Sequence, residues 1–88
     1  MRLDKFLKVS RVIKRRTIAK DVLDLGLVKI NNKVAKPSTE VKENDILILA
    51  LGERLLTIKV LKIINSTQKK DASSMFEIIS DEAREIDF

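Results

Sequence analysis

The sequence predicts an α+β domain in which an N-terminal helical hairpin packs on a small antiparallel β-sheet, followed by a short C-terminal extension. Three observations carry this reading. Apolar residues recur at the helical period from Met1 to Leu25, the period changes to two after Gly26, and turn-forming residues then break the chain at short intervals.

The first helix is expected over about Arg2–Lys14. On a helical wheel Leu3, Phe6, Leu7, Ser10 and Ile13 share one side, and Arg2, Lys5, Lys8, Arg11 and Arg15 share the other. The apolar side can pack on a core. The basic side forms a ladder with one cation per turn, rising about 5 Å each time. Met1–Arg16 holds seven cations and one acid, Asp4. A face built only for solubility would interleave signs and gain i,i+4 ion pairs, whereas an all-positive ladder repels itself and calls for an anionic partner. Asp4 is expected to order the helix start or pair with a neighbouring cation.

Thr17 is expected to cap a second helix, Ile18–Leu25, whose apolar set is Ile18, Ala19, Val22, Leu23 and Leu25. Gly26 supplies the left-handed residue that ends it. The two helices would meet at a very short link around Arg15–Thr17. Lys14, Arg15 and Arg16 crowd that corner beside the exposed N–H groups of a helix start.

Leu27–Ile30 reads as a strand, Asn31-Asn32 as a hairpin turn and Lys33–Ala35 as the return. Pro37 has no N–H and interrupts that ladder. Thr39–Glu43 connects, with Val41 pointing inward, and Glu43-Asn44-Asp45 turns. Ile46–Leu51 is nearly continuously apolar, as expected of a central strand buried on both faces. Gly52-Glu53-Arg54 turns again, and Leu55–Ile64 pairs back. Asn65–Ser74 reads as a loop and Met75–Ile79 as a short apolar piece, strand or helical turn, docked on the core. Ser80–Phe88 reads as a mobile acidic tail. Such a tail either solubilises the terminus or shields a basic face until an anionic ligand displaces it.

With 88 residues the chain has room for one domain, and its net charge of +5 suits nucleic acid, an anionic membrane surface or an acidic protein. Histidine, cysteine, tyrosine and tryptophan are absent. That removes disulfides, thiolate chemistry and the commonest general base and metal ligand, so neither an enzyme nor a cofactor is expected. No apolar run is long enough to span a membrane, and the basic N-terminus lacks a signal-peptide core, which points to the cytoplasm. Without an aromatic platform, RNA recognition would rest on shape and phosphate rather than stacked bases. A basic amphipathic helix could instead lie on a membrane surface or in a protein groove, at the expense of the small core.

The order of motifs resembles the S4 RNA-binding domain. RLDKFL at Arg2–Leu7 is followed by SRVIKRR at Ser10–Arg16, a short helix ending at Gly26, VKINNKVAKPS at Val28–Ser38, and ENDILIL at Glu43–Leu49. Two departures stand out. Asn32 occupies a position where many members have glycine, and Asn44-Asp45 replaces the usual Gly-Asp. The resemblance implies an S4 domain over residues 1–64 and an extension over 65–88. It places an RNA face on Arg2, Lys5, Lys8, Arg11, Arg15 and Arg16, continued on Asn31, Asn32, Lys33, Lys36 and Ser38. For the two asparagines a purely conformational role in the turn is the competing reading.

Length and the KKDASSMFEII segment at Lys69–Ile79 are most similar to the P-factor family of bacterial ribosome-associated quality control. The heat-shock S4 factors that act on large subunits are the related alternative. The resemblance to the first implies contact with rRNA and peptidyl-tRNA on an obstructed large ribosomal subunit. It further implies support for alanine tailing of the stalled chain by a partner protein.

Overall fold

A computed structural model describes residues 1–65 and 68–84. Two short helices, α1 (Leu3–Val9) and α2 (Arg16–Asp24), precede the hairpin β1 (Val28–Ile30) and β2 (Lys33–Val34). β3 (Ile46–Leu51), β4 (Arg54–Val60), a single turn α3 (Lys69–Ala72) and β5 (Phe76–Ala83) follow. The strands form one antiparallel sheet in the order β2-β1-β3-β4-β5. Leu3, Phe6 and Leu7 of α1 and Ala19 and Leu23 of α2 share one core with Val28, Leu47, Leu49, Ile58 and Val60 of the sheet. This is the expected α+β arrangement.

The first helix ends five residues early. Arg11 takes a left-handed φ of 63°. Its N–H donates to the Lys8 carbonyl, and the Ile13 N–H donates to the Leu7 carbonyl, so the chain turns back over the open end of α1. Ser10 and Ile13 are nevertheless buried, as expected, but they reach the core through this turn rather than along a helix. The link between the helices therefore runs from Ser10 to Arg15 and is not confined to Arg15–Thr17. Thr17 is not the cap. Arg15 holds that position in extended conformation with no side-chain cap bond, and Thr17 lies inside the first turn. In α2 only Ala19 and Leu23 are buried, while Ile18 and Leu25 face solvent. Gly26 adopts φ 75°, the conformation expected of it.

Asn31 and Asn32 both take positive φ and join Ile30 to Lys33 in a two-residue turn. Asn44 does the same in its turn, so asparagine supplies the left-handed conformation at all three positions. Val41 is buried as expected. β3 is central, but only Leu47 and Leu49 are fully buried, and Ile46, Ile48, Ala50 and Leu51 are half-exposed. The chain supplies helices for one sheet face only, so the expectation of burial on both faces is corrected.

The C-terminal extension departs most from expectation. The stretch expected as a loop contains α3, and Met75 is buried in the core. Phe76–Ala83 is a strand along the whole length of β4, with a register shift at Thr57/Ile58. Ser80–Ala83 is thus ordered by backbone pairing rather than mobile, because β4 offers an edge that acidic side chains can occupy without entering the core. Asp81 pairs with Arg54 at 2.6 Å, away from the basic helices. The remainder of the expected tail, residues 85–88, lies outside the described residues.

Candidate nucleic-acid interface

The basic residues are organised by the N-terminus and the segment that clamps it. The Leu3 N–H donates to the Thr39 carbonyl and the Asp4 N–H to the Pro37 carbonyl, so two orphan donors of α1 are satisfied by the chain after the hairpin. The backbones of Arg2 and Glu40 form an isolated antiparallel β-bridge, and the Val41 N–H donates to the Met1 carbonyl. Within this segment the Thr39 hydroxyl accepts the Lys36 N–H at 2.9 Å. Pro37 therefore does more than stop β2: its carbonyl helps hold the start of α1.

Asp4 sits at the centre. Its side chain is 4 % exposed. Oδ1 accepts hydrogen bonds from the Lys5 backbone N–H at 2.8 Å, from Arg2 Nε at 3.2 Å and from Arg16 Nη2 at 3.4 Å. Oδ2 accepts from Arg2 Nη2 at 3.3 Å. Burial pushes the Asp4 carboxyl up, but the hydrogen bonds from Arg2, the Lys5 N–H and Arg16 outweigh it and hold the group below the ordinary carboxylate value. The expectation that Asp4 orders the helix start and pairs with a cation matches this geometry.

The single ladder of cations does not exist as one helix face. Lys5 and Lys8 lie on α1, Arg2 precedes it, Arg11 sits in the left-handed turn, and Arg15 and Arg16 open α2. Lys5 is half-exposed and the other five are exposed. The fold regroups them. Arg2 and Arg16 converge on Asp4. Arg2, Lys36 and Ser38 line an open groove of about 420 Å³ between α2 and the segment after β2.

Lys20 and Asp24 of α2 line the same groove, and its floor includes Leu23, Ala35 and Pro37. Lys20 was not among the residues expected from sequence. A signal was present, since Lys20 follows Arg16 by four positions and shares its side of the helix.

The hairpin residues divide. Lys33 is exposed on β2. Asn32 lines a second groove, of about 330 Å³, with Leu27, Lys29, Ile48, Ala50 and Leu55 on the uncovered sheet face, so it is not gathered with Arg2 and Lys36. The Asn31 amide is already engaged: Nδ2 donates to Asp45 at 3.0 Å, and Oδ1 accepts the Ile46 N–H at 3.0 Å. Among the described residues no cluster of carboxylates converges to hold a metal ion, and no helix is long and apolar enough to cross a membrane.

The S4 domain family matches residues 1–47. A factor of Streptococcus pneumoniae named "RQC P-site tRNA stabilizing factor" is 56 % identical over 81 residues, covering 92 % of both chains. Its namesake in Bacillus subtilis is 49 % identical over 93 % of this chain and 95 % of its own. The Vibrio cholerae Heat Shock Protein 15, solved as a trimer, superposes with a TM-score of 0.83 at 30 % identity, over 91 % of this chain and 82 % of that one. By the family match over residues 1–47 and the likeness to these relatives over more than nine-tenths of the chain, the chain belongs to the S4-domain family, in the branch of the RQC P-site tRNA stabilizing factors.

Proposed function

We propose that this protein is a non-enzymatic cytoplasmic RNA-binding factor of ribosome-associated quality control. It acts on large ribosomal subunits obstructed by peptidyl-tRNA, where it holds the P-site tRNA, touches rRNA and supports alanine tailing of the stalled chain by a partner protein. The observation that carries this reading is the likeness, over 92 % of both chains, to a P-site tRNA stabilizing factor. The geometry supports it: Arg2 and Arg16 converge on Asp4, and Arg2, Lys20, Lys36 and Ser38 line the adjoining groove.

The RNA face we infer comprises Arg2, Lys5, Lys8, Arg11, Arg15, Arg16, Lys33, Lys36 and Ser38, with Lys20 added. Asn31 and Asn32 take part through the shape of their turn. Arginine grips phosphate with paired N–H donors and lysine acts as a point charge, so such a face reads backbone geometry more than base identity.

Sedimentation of tagged protein from bacterial lysate on a sucrose gradient tests the proposal. Co-migration with free large subunits carrying peptidyl-tRNA is the expected result, together with loss of alanine tails on stalled chains when the protein is removed. The likeness to the Vibrio cholerae heat-shock fold favours a second reading, rescue or recycling of large subunits. Subunit binding with tails intact would select it. Protein remaining at the top of the gradient in low salt as well as high would overturn both and favour a membrane-surface or protein-docking module.

A further inference from the structure

We propose that Asp4 is a positioning residue for RNA binding: its buried carboxylate joins the guanidiniums of Arg2 and Arg16 into one paired phosphate clamp. This rests on the RNA face inferred above. The starting point is an anomaly of charge. Asp4 is the one acid in Met1–Arg16, and it lies in the middle of the surface meant to attract phosphate. Coulomb's law alone makes it harmful there.

The geometry gives the compensation. Arg2 precedes α1 and Arg16 opens α2, with the whole α1–α2 link between them. Two guanidiniums side by side repel. Oδ1 of Asp4 accepts a bond from each, at 3.2 and 3.4 Å, and Oδ2 accepts a second from Arg2 at 3.3 Å. The carboxylate itself is held by the Lys5 N–H and is nearly inaccessible. The Arg2 and Arg16 side chains stay about half-exposed, at 53 % and 48 %. Each guanidinium carries five N–H donors and gives Asp4 only part of them, so both keep donors directed to solvent. A phosphate meets two cations already held in place, and the ordering of two long side chains is met at folding rather than at binding.

The test is the isosteric substitution Asp4→Asn, read by binding of bulk deacylated tRNA over a range of salt concentrations. The amide that replaces the carboxylate can still accept the Lys5 N–H but lacks the charge that holds the arginines. The expected result is roughly five- to twenty-fold weaker binding, with the log K against log[salt] slope shallower by about one, although the protein has become more positive. In an Arg2→Ala/Arg16→Ala background the sign should reverse, and Asp4→Asn should slightly tighten binding. Asp4→Glu should restore most of the affinity in the otherwise wild-type chain.

Wild-type or tighter binding by a folded Asp4→Asn protein, with an unchanged slope, overturns the proposal. So does a further loss caused by Asp4→Asn in the double-alanine background, which would mark a general structural role. If Asp4→Asn fails to fold, the Asp4→Glu protein carries the test: it must retain the slope of the wild type, and a shallower slope overturns the proposal. Wild-type binding by the Arg2→Ala/Arg16→Ala protein would instead remove the RNA face itself, which separates the two failures.

Discussion

Three residues depart from what their side-chain type would suggest, each for a backbone or desolvation reason. Arg11 holds a left-handed conformation that disfavours any side chain by about 1 kcal/mol. Arg11→Gly relieves that strain but loses the side chain's own contact and adds unfolded-state entropy, so the melting temperature should rise by at most about 4 °C. The same change should weaken tRNA binding severalfold if the guanidinium belongs to the RNA face, so stability and binding move in opposite directions. Asn31 is tied to Asp45 and Ile46. Asn31→Gly keeps the positive φ, at which glycine carries no side-chain strain, and removes these bonds. The net cost should be about 1 kcal/mol in denaturant titration, with tRNA binding within about two-fold.

Asp4 makes folding depend on acid. Its carboxyl titrates lower in the folded chain than its ordinary value of 3.8. Its contribution is thus fully present above that value and is lost as pH falls from there through the folded pKa. Thermal melts between about pH 5 and pH 2 should show this loss, and Asp4→Asn should flatten that part of the profile.

At the scale of elements, α1 spans seven residues and is too short to persist alone. It is held by Phe6, buried completely in the core, and by the carbonyls of Pro37 and Thr39 that accept its first N–H groups. Thr39→Val removes the hydroxyl that fixes the Lys36 N–H. It should cost about 1 kcal/mol and also weaken RNA binding, because the clamp and the Lys36–Ser38 step are one structure.

β5 is the second dependent element. It pairs with β4 from Arg54 to Val60, and Met75 just before it is fully buried. A chain ending at Ser74 uncovers β4 and removes Met75, and circular dichroism should show loss of the cooperative melt. A cooperative transition near that of the full chain would show that the extension is dispensable.

At the scale of the molecule, Met1–Lys20 carries eight cations against the single acid Asp4, and the acids Glu77, Asp81 and Glu82 lie along the edge strand β5. A face of this kind binds by displacing counterions. About five phosphate contacts give a log K against log[salt] slope of roughly −3.5 to −4.5 for tRNA. Measurement of that slope checks the whole surface at once: a value near zero would remove phosphate recognition. Arg54 and Asp81 pair at 2.6 Å at the opposite edge of the sheet, so Arg54→Ala should leave the slope unchanged.

The apolar positions of α1, the Gly26 stop, the Asn31-Asn32 and Asn44 turns and the apolar run of β3 were all legible in the sequence. Each is a local rule: a helical period, or a residue type suited to positive φ. The end of α1 was not legible, because the left-handed position is filled by arginine instead of glycine and the carbonyls it closes are backbone groups. Nor was the second half of β5, Ser80–Ala83, whose acidic composition imitates a solvated tail until β4 offers it an edge.

By itself the sequence determined the α+β class, the buried side of the first helix and the set of basic residues. The tertiary structure alone decided which of those residues meet. Arg2 and Arg16 come together at Asp4, and Lys20 comes to lie with Lys36, because hydrogen bonding and burial bring together groups far apart in the chain, which no sequence period encodes.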